Sequence, residues 1–160
     1  MRELADPYFL DACLRLAAAA ACGIAVGVNR DLKSKPVGMR TLGLVAVGAA
    51  LISLSALQAP ELRANPDAYS RVVQGILQGV LTGIGFLGAG AILKREAGSE
   101  IKGLTTAATV WATAALGVAC ALADWPLIAL GLTITLAVLI LPKRIARWLG
   151  GTTPVDDRLS

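Results

Sequence analysis

Residues 72–93 read VVQGILQGVLTGIGFLGAGAIL, twenty-two positions without a charge. A helix needs about 20 apolar residues to cross a bilayer, so this stretch reads as a transmembrane span. Within it Gly75, Gly79 and Gly83 recur every fourth residue, followed by Gly85, Gly88 and Gly90. Residues four apart share a helix face. Such a ridge lets a neighbouring backbone approach closely and favours helix association in lipid, so Gly75, Gly79, Gly83 and Gly85 are expected to be helix-packing residues. Gln74, Gln78 and Thr82 form a second four-spaced row. In hydrocarbon these groups need partners, so they are expected to face other helices or a wet cavity. Packing alone explains the glycines, and a pore or binding cavity is the second reading. The same stretch spells GxGxxG at Gly83, Gly85 and Gly88. A dinucleotide fingerprint needs a strand before the glycines and a helix after them, and an apolar run of this length excludes that context.

Working outward, four more apolar segments fall at about 9–28, 41–57, 104–123 and 126–141. Breakers separate them: Pro36, then Pro60, Asn65 and Pro66, then a turn at 97–99, then Asp124 and Pro126; Pro142 is expected to close the last helix. Trp125 and Trp148 are expected to anchor that short helix at the membrane surfaces. The fold expected is an all-α membrane protein, a bundle of about five transmembrane helices. One membrane domain over 1–150 leaves a polar tail at 151–160. Composition agrees. Of 160 residues 56% are hydrophobic and only 16% charged, where a soluble domain carries about 25% charged residues. The net charge of +4 does not point to nucleic acid, because the basic residues flank apolar segments and form no aromatic-interleaved patch. A signal peptide's positive n-region is missing, since Glu3, Asp6 and Asp11 outweigh Arg2, and the first helix is expected to be retained.

Five spans sort the basic residues unevenly. Arg30, Lys33, Lys35 and Arg40, then Lys94, Arg95 and Lys102, then Lys143, Arg144, Arg147 and Arg158 fall on one side. Only Arg2, Arg15, Arg63 and Arg71 fall on the other. The positive-inside rule then places the N-terminus outside and the C-terminus in the cytoplasm.

Candidates for chemistry are few. Histidine is absent and Cys13, Cys22 and Cys120 form no CxxC pair, so no metal site is expected and the cysteines read as small packing residues. No nucleophile has a matching base, so no enzyme and no cofactor are expected. No carboxylate lies near the middle of a span, which weakens a magnesium path. Asp11 and Arg15, four apart, are expected to pair. Lys102, Gly103, Leu104, Thr105 and Thr106 open one helix, and Arg40 and Thr41 open another. Threonines there can cap free N–H groups. Two helix N-termini with basic neighbours would suit an anion or a lipid phosphate, while ordinary capping is the simpler account.

The run from Gly83 to Gly90 together with Lys102-Gly103-Leu104-Thr105-Thr106 through Trp111 resembles the MgtC/SapB family of bacterial inner-membrane proteins. Asn29-Arg30, Lys35-Pro36, Gly38, Arg40-Thr41 and Gly48-Ala49-Ala50 fit the same pattern, and the resemblance covers roughly 14–117. It implies a multi-pass five-helix domain in the inner membrane, without the soluble C-terminal domain of longer members. It also implies a non-enzymatic modulator of membrane partners, among them the F-type ATP synthase, linked to growth at low magnesium and to virulence. The family often carries Glu where this chain has Asn29, and His or Asn where it has Leu42. The resembling segments cluster at the cytoplasmic helix ends. That suggests a functional surface of Asn29, Arg30, Arg40, Thr41, Gly88, Gly90, Lys102, Gly103, Thr105 and Thr106. The alternative is a magnesium or other cation transporter, in which Gln78 would matter. Beyond the lipid bilayer, a homo-oligomer through the glycine ridge is a further partner state.

Overall fold

The computed structural model describes residues 7–57, 65–93 and 103–148, and all five segments expected from the sequence are helices. They are α1 (Pro7–Asp31), α2 (Met39–Leu57), α3 (Pro66–Leu93), α4 (Leu104–Leu122) and α5 (Trp125–Trp148). No strand occurs among the described residues. The expected turn at 97–99, Pro60, Lys102 and the tail after residue 148 lie outside the described residues, as does the side chain of Trp148.

Helices α1 to α4 are each long and apolar enough to cross a membrane. The apolar part of α5, Trp125–Leu141, sits at the short limit of a span. The surface suits lipid as the solvent: Phe86, Leu44 and Val138 are 83%, 74% and 64% exposed. In water such large apolar side chains would form aggregation-prone patches.

Two boundaries differ from the sequence reading. Helix α3 begins at Pro66, ahead of the expected 72, because Asn65 is its N-cap. The Asn65 Oδ1 accepts from Asp67 N at 3.1 Å and from Ala68 N at 3.2 Å. Pro66 follows at the first helical position, where a missing N–H costs nothing. Helix α5 runs through Pro142 to Trp148 instead of closing there. Proline removes one helical donor, and the Lys143, Arg144 and Ala146 that follow favour helix strongly enough to continue.

Helices α1, α2 and α4 form the centre, with α3 and α5 packed against α4. Small side chains make that centre close. Ala19, Ala46, Ala50 and Ala114 are fully buried, beside Val26 and Leu42. A Cβ on Gly23 would strike the Leu42 backbone, one on Gly27 the Met39 backbone, and one on Gly117 the Ala46 backbone. These three glycines bring α1 and α4 onto α2. Gly23 and Gly27 are themselves four apart, so the small-residue spacing that sets this core was present in α1.

The ridge in α3 behaves differently. A Cβ on Gly75, Gly79, Gly83 or Gly85 would meet nothing within 4 Å. Among the described residues, therefore, no helix packs onto the glycines expected to be helix-packing. Helix α3 instead meets its neighbours through buried Ile76, Ile84 and Gly88, the last against Ala107 of α4.

Candidate functional site

The site is built where α1 ends and α4 begins. The last turn of α1 closes when Leu32 N donates to Val28 O at 3.0 Å and Lys33 N to Arg30 O at 3.0 Å. Ser34 then takes a positive φ of 50°, the left-handed conformation that ends helices. Val37 follows at φ 65°, unusual for a β-branched residue and held by the bonds around it. Next, Asp31 folds over the loop, and its Oδ2 accepts from Met39 N at 3.0 Å, capping α2. Gly38 is required for this: a Cβ there would collide with the Asp31 carboxylate. The N-terminus of α2, for which ordinary capping is the simpler expectation and an anion site the other, is thus already occupied by a carboxylate, which the helix dipole favours.

Arg30 lies behind that loop, 6% exposed. Its Nη2 donates to Pro36 O at 3.0 Å and to Thr106 Oγ1 at 2.5 Å. One guanidinium therefore ties the end of α1, the α1–α2 loop and the first turn of α4. Arg30 Nε and Asn29 Nδ2 are buried with no hydrogen-bond partner among the described residues. No ion pair to Arg30 exists among the described residues. Burying an arginine at a membrane end without a counter-charge is costly, and Arg30 offsets that cost with neutral acceptors.

The other expected site residues fall into two groups. Thr106 is buried on Arg30, and so serves as an acceptor for α1 rather than as a cap: the N-terminus of α4 has no side-chain cap among the described residues. Gly103 precedes α4 at φ 94°, and a Cβ there would also strike Ala91 O of α3, so two independent constraints demand glycine. Gly88 of α3 is buried nearby against Ala107 of α4. By contrast Arg40, Thr41, Thr105 and Gly90 are exposed, and Lys102 lies outside the described residues. The Thr105 carbonyl accepts from Thr109 Oγ1 at 2.7 Å.

Arg15 clamps the opposite end. Its Nε pairs with Asp11 at 2.8 Å, as the spacing predicts. Its Nη1 also donates to the carbonyls of Cys120 at 3.0 Å, Ala121 at 3.3 Å and Ala123 at 3.1 Å, and the guanidinium lies 5.7 Å from the Trp125 ring centroid. These carbonyls end α4 and have no helical donors, so a cation satisfies both their hydrogen bonds and the helix dipole. Arg15 and Arg30 stand roughly 22 Å apart along α1 at 1.5 Å per residue. They hold α4 at its last and first turns and so fix its register. Only the Asp11 part of this was readable from local spacing; the carbonyl contacts join residues more than a hundred positions apart.

Between α2 and α3 lies an apolar groove of about 780 Å³, lined in part by Thr41, Leu44, Gly48, Gly75, Gly79 and Gly83. The glycine ridge thus lines an open groove. Gln74, Gln78 and Thr82 are all exposed on the outer side of α3, away from the core. Among the described residues no group of three or more metal-ligating side chains comes together.

The MgtC family model matches residues 16–148. The chain belongs to the MgtC family. It is 42% identical over 151 residues to the protein SrpB of Synechococcus elongatus, covering 88% of this chain and 81% of SrpB. It is 39% identical over 124 residues to the protein MgtC of Salmonella typhimurium, covering 78% of this chain but 47% of that protein. The protein SapB of Bacillus subtilis is 35% identical over 112 residues, 68% of this chain and 47% of its own length. The chain therefore spans most of SrpB and about half of MgtC and SapB. No solved structure matches it. The match to the family extends beyond the motifs around Gly83 and Thr105 into α5, so the helical membrane domain as a whole is the family's.

Proposed function

We propose that this chain is a non-enzymatic modulator of membrane partners, acting through the Arg30 end on the cytoplasmic side of a bacterial inner membrane. One observation supports this above the others. Arg40 and Thr41 are exposed on the first turn of α2, while behind them the buried Arg30 is bonded to the Pro36 carbonyl and to the buried Thr106. An exposed basic and hydroxyl edge on a rigid support suits recognition, because little side-chain and loop ordering remains to be done on binding. The excess of Lys and Arg in the loops at this end favours a cytoplasmic placement. The family resemblance suggests the partner class, with the F-type ATP synthase as one member, and a role in growth at low magnesium.

The interior favours contact over transport. Backbones meet at Gly23, Gly27 and Gly117, and the amides a cation path would use point away from that core. The test uses a host lacking its own copy. Arg40→Ala is expected to reach the membrane at the unaltered level and yet fail to restore growth at low magnesium; normal growth would remove this surface from the account. Vesicles holding only this protein are expected to admit no magnesium. Entry that falls with Gln78→Leu would return the chain to the transporters.

A further inference from the structure

Helix α3 turns an unusual face away from the bundle. Asp67, Arg71, Gln74, Gln78 and Thr82 are all exposed, and they follow one another at spacings of four, three, four and four. At 100° per residue this is one stripe along the helix. It continues through exposed Gly85 and Ala89, again three and four residues on. The buried residues Ile76, Ile84 and Gly88 lie on the other side. A helix of 28 residues is roughly 42 Å long, which puts Gln78 close to its middle and Asp67 and Arg71 in its first two turns. The outward face of α5 is what lipid selects: Leu127, Leu130, Ile134, Val138 and Leu141, all about half exposed or more. Two amides in the same solvent have nothing to bond to, and no hydrogen bond to either glutamine side chain exists among the described residues.

We propose that this stripe is covered by the α3 of a second copy of the chain, in a parallel twofold dimer. Two copies inserted with the same orientation run their α3 helices in the same direction, and a twofold axis along the membrane normal sets each residue opposite itself at equal depth. A glutamine amide both donates and accepts, so Gln74 meets Gln74 of the second copy and Gln78 meets its own counterpart, each satisfied without any other group. One turn separates Asp67 from Arg71, so the carboxylate of each copy lies within reach of the other's guanidinium, giving two symmetric ion pairs at the membrane edge. Gly85 and Ala89, four apart with no bulk between, let the two backbones close at the other end of the stripe. A nonpolar partner helix would leave both amides unbonded, and a partner of opposite direction would separate the charges.

The experiment keeps the full chain in native membranes. In a background with Cys13, Cys22 and Cys120 replaced by serine or alanine, a short bis-maleimide is expected to join Gln78→Cys into a species of twice the chain mass. It is expected to leave Leu130→Cys, on the lipid face of α5, monomeric. The double variant Gln74→Leu/Gln78→Leu, whose added apolarity favours insertion, is expected to weaken self-association in lipid at least tenfold. Equal crosslinking at 78 and 130 overturns the proposal, as does association unchanged in the double variant. A photoreactive group at position 78 that captures another protein and not this chain assigns the face to a different helix and overturns it as well. Because Arg40 lies off this stripe, loss of function in Arg40→Ala with dimerisation intact separates this inference from the reading of the Arg30 end.

Discussion

Helices α3 and α4 are equally apolar to a scan of the sequence, and they do opposite things. Helix α4 buries ten of its nineteen residues and is gripped at both ends by arginines of α1. Helix α3 is longer, yet among its described side chains and glycines only Ile76, Ile84 and Gly88 are buried. Its glycines line a groove, and its amides face outward. One lone glycine in α4, Gly117, makes a closer helix contact than the whole four-spaced ridge of α3. A small residue is therefore not by itself a packing site in lipid. It becomes one only where another backbone arrives, and what brings that backbone here is the pair of arginine clamps and the run of alanines between them.

The sharpest way to break this comparison is one identical change made in both helices. Gly117→Ala puts a methyl group into the Ala46 carbonyl of α2, and backbone cannot yield as a flexible side chain does. We expect a loss of about 3 kcal/mol, at the upper end of ordinary overpacking, read as a shift of the unfolding midpoint when the purified chain is titrated with SDS in mixed micelles. An unchanged midpoint would mean that α2 and α4 are not in backbone contact.

Next in size is the clamp. Arg30→Met keeps the length and apolar stem of the side chain but leaves Pro36 O and Thr106 Oγ1 without their donor. Hydrogen bonds from a charged group contribute about 1.5–3 kcal/mol each, but the variant also relieves the burial of a cation and of an unpartnered Nε, so a net loss of about 2 kcal/mol is expected in the same titration. The loop should loosen along with it. Limited proteolysis between Leu32 and Gly38 is expected to accelerate in Arg30→Met, and equal protection in the two proteins would show that Arg30 is not what holds the α1–α2 loop.

The five helices were legible because lipid imposes a simple condition, long uncharged runs between polar breaks, and 72–93 meets it without ambiguity. The pairing of Asp11 with Arg15 was legible for the same kind of reason, since it is local. The start of α3 was harder: Asn65 and Pro66 look like loop punctuation until the carboxamide is seen on the amides of Asp67 and Ala68, and the same two residues that break one helix begin the next. What could not be read was any contact made across the fold. Thr106 looks like a cap until Arg30, 76 positions earlier, occupies its hydroxyl. Asp31 gave no sign of closing α2, because its reach depends on the left-handed Ser34 and on the missing side chain at Gly38. Periodicity identifies which residues share a face; it does not say which face meets a neighbour. The α3 ridge and the Gly23–Gly27 pair have the same spacing, and among the described residues only the second is packed.

The smallest expected effect tests that last point. In Gly79→Ala the new methyl group enters open space over the α2–α3 groove. Alanine is the better helix former by up to about 1 kcal/mol, so this variant is expected to unfold at the same SDS concentration as the parent or slightly above it. Gly79 lies beside the glutamine stripe and not on it, so self-association should persist as well. A loss as large as that of Gly117→Ala would mean that a backbone does lie against the ridge, one that is not among the described residues. The pair of variants thus separates a glycine that builds the monomer from one that waits on an occupant, using one methyl group in each case.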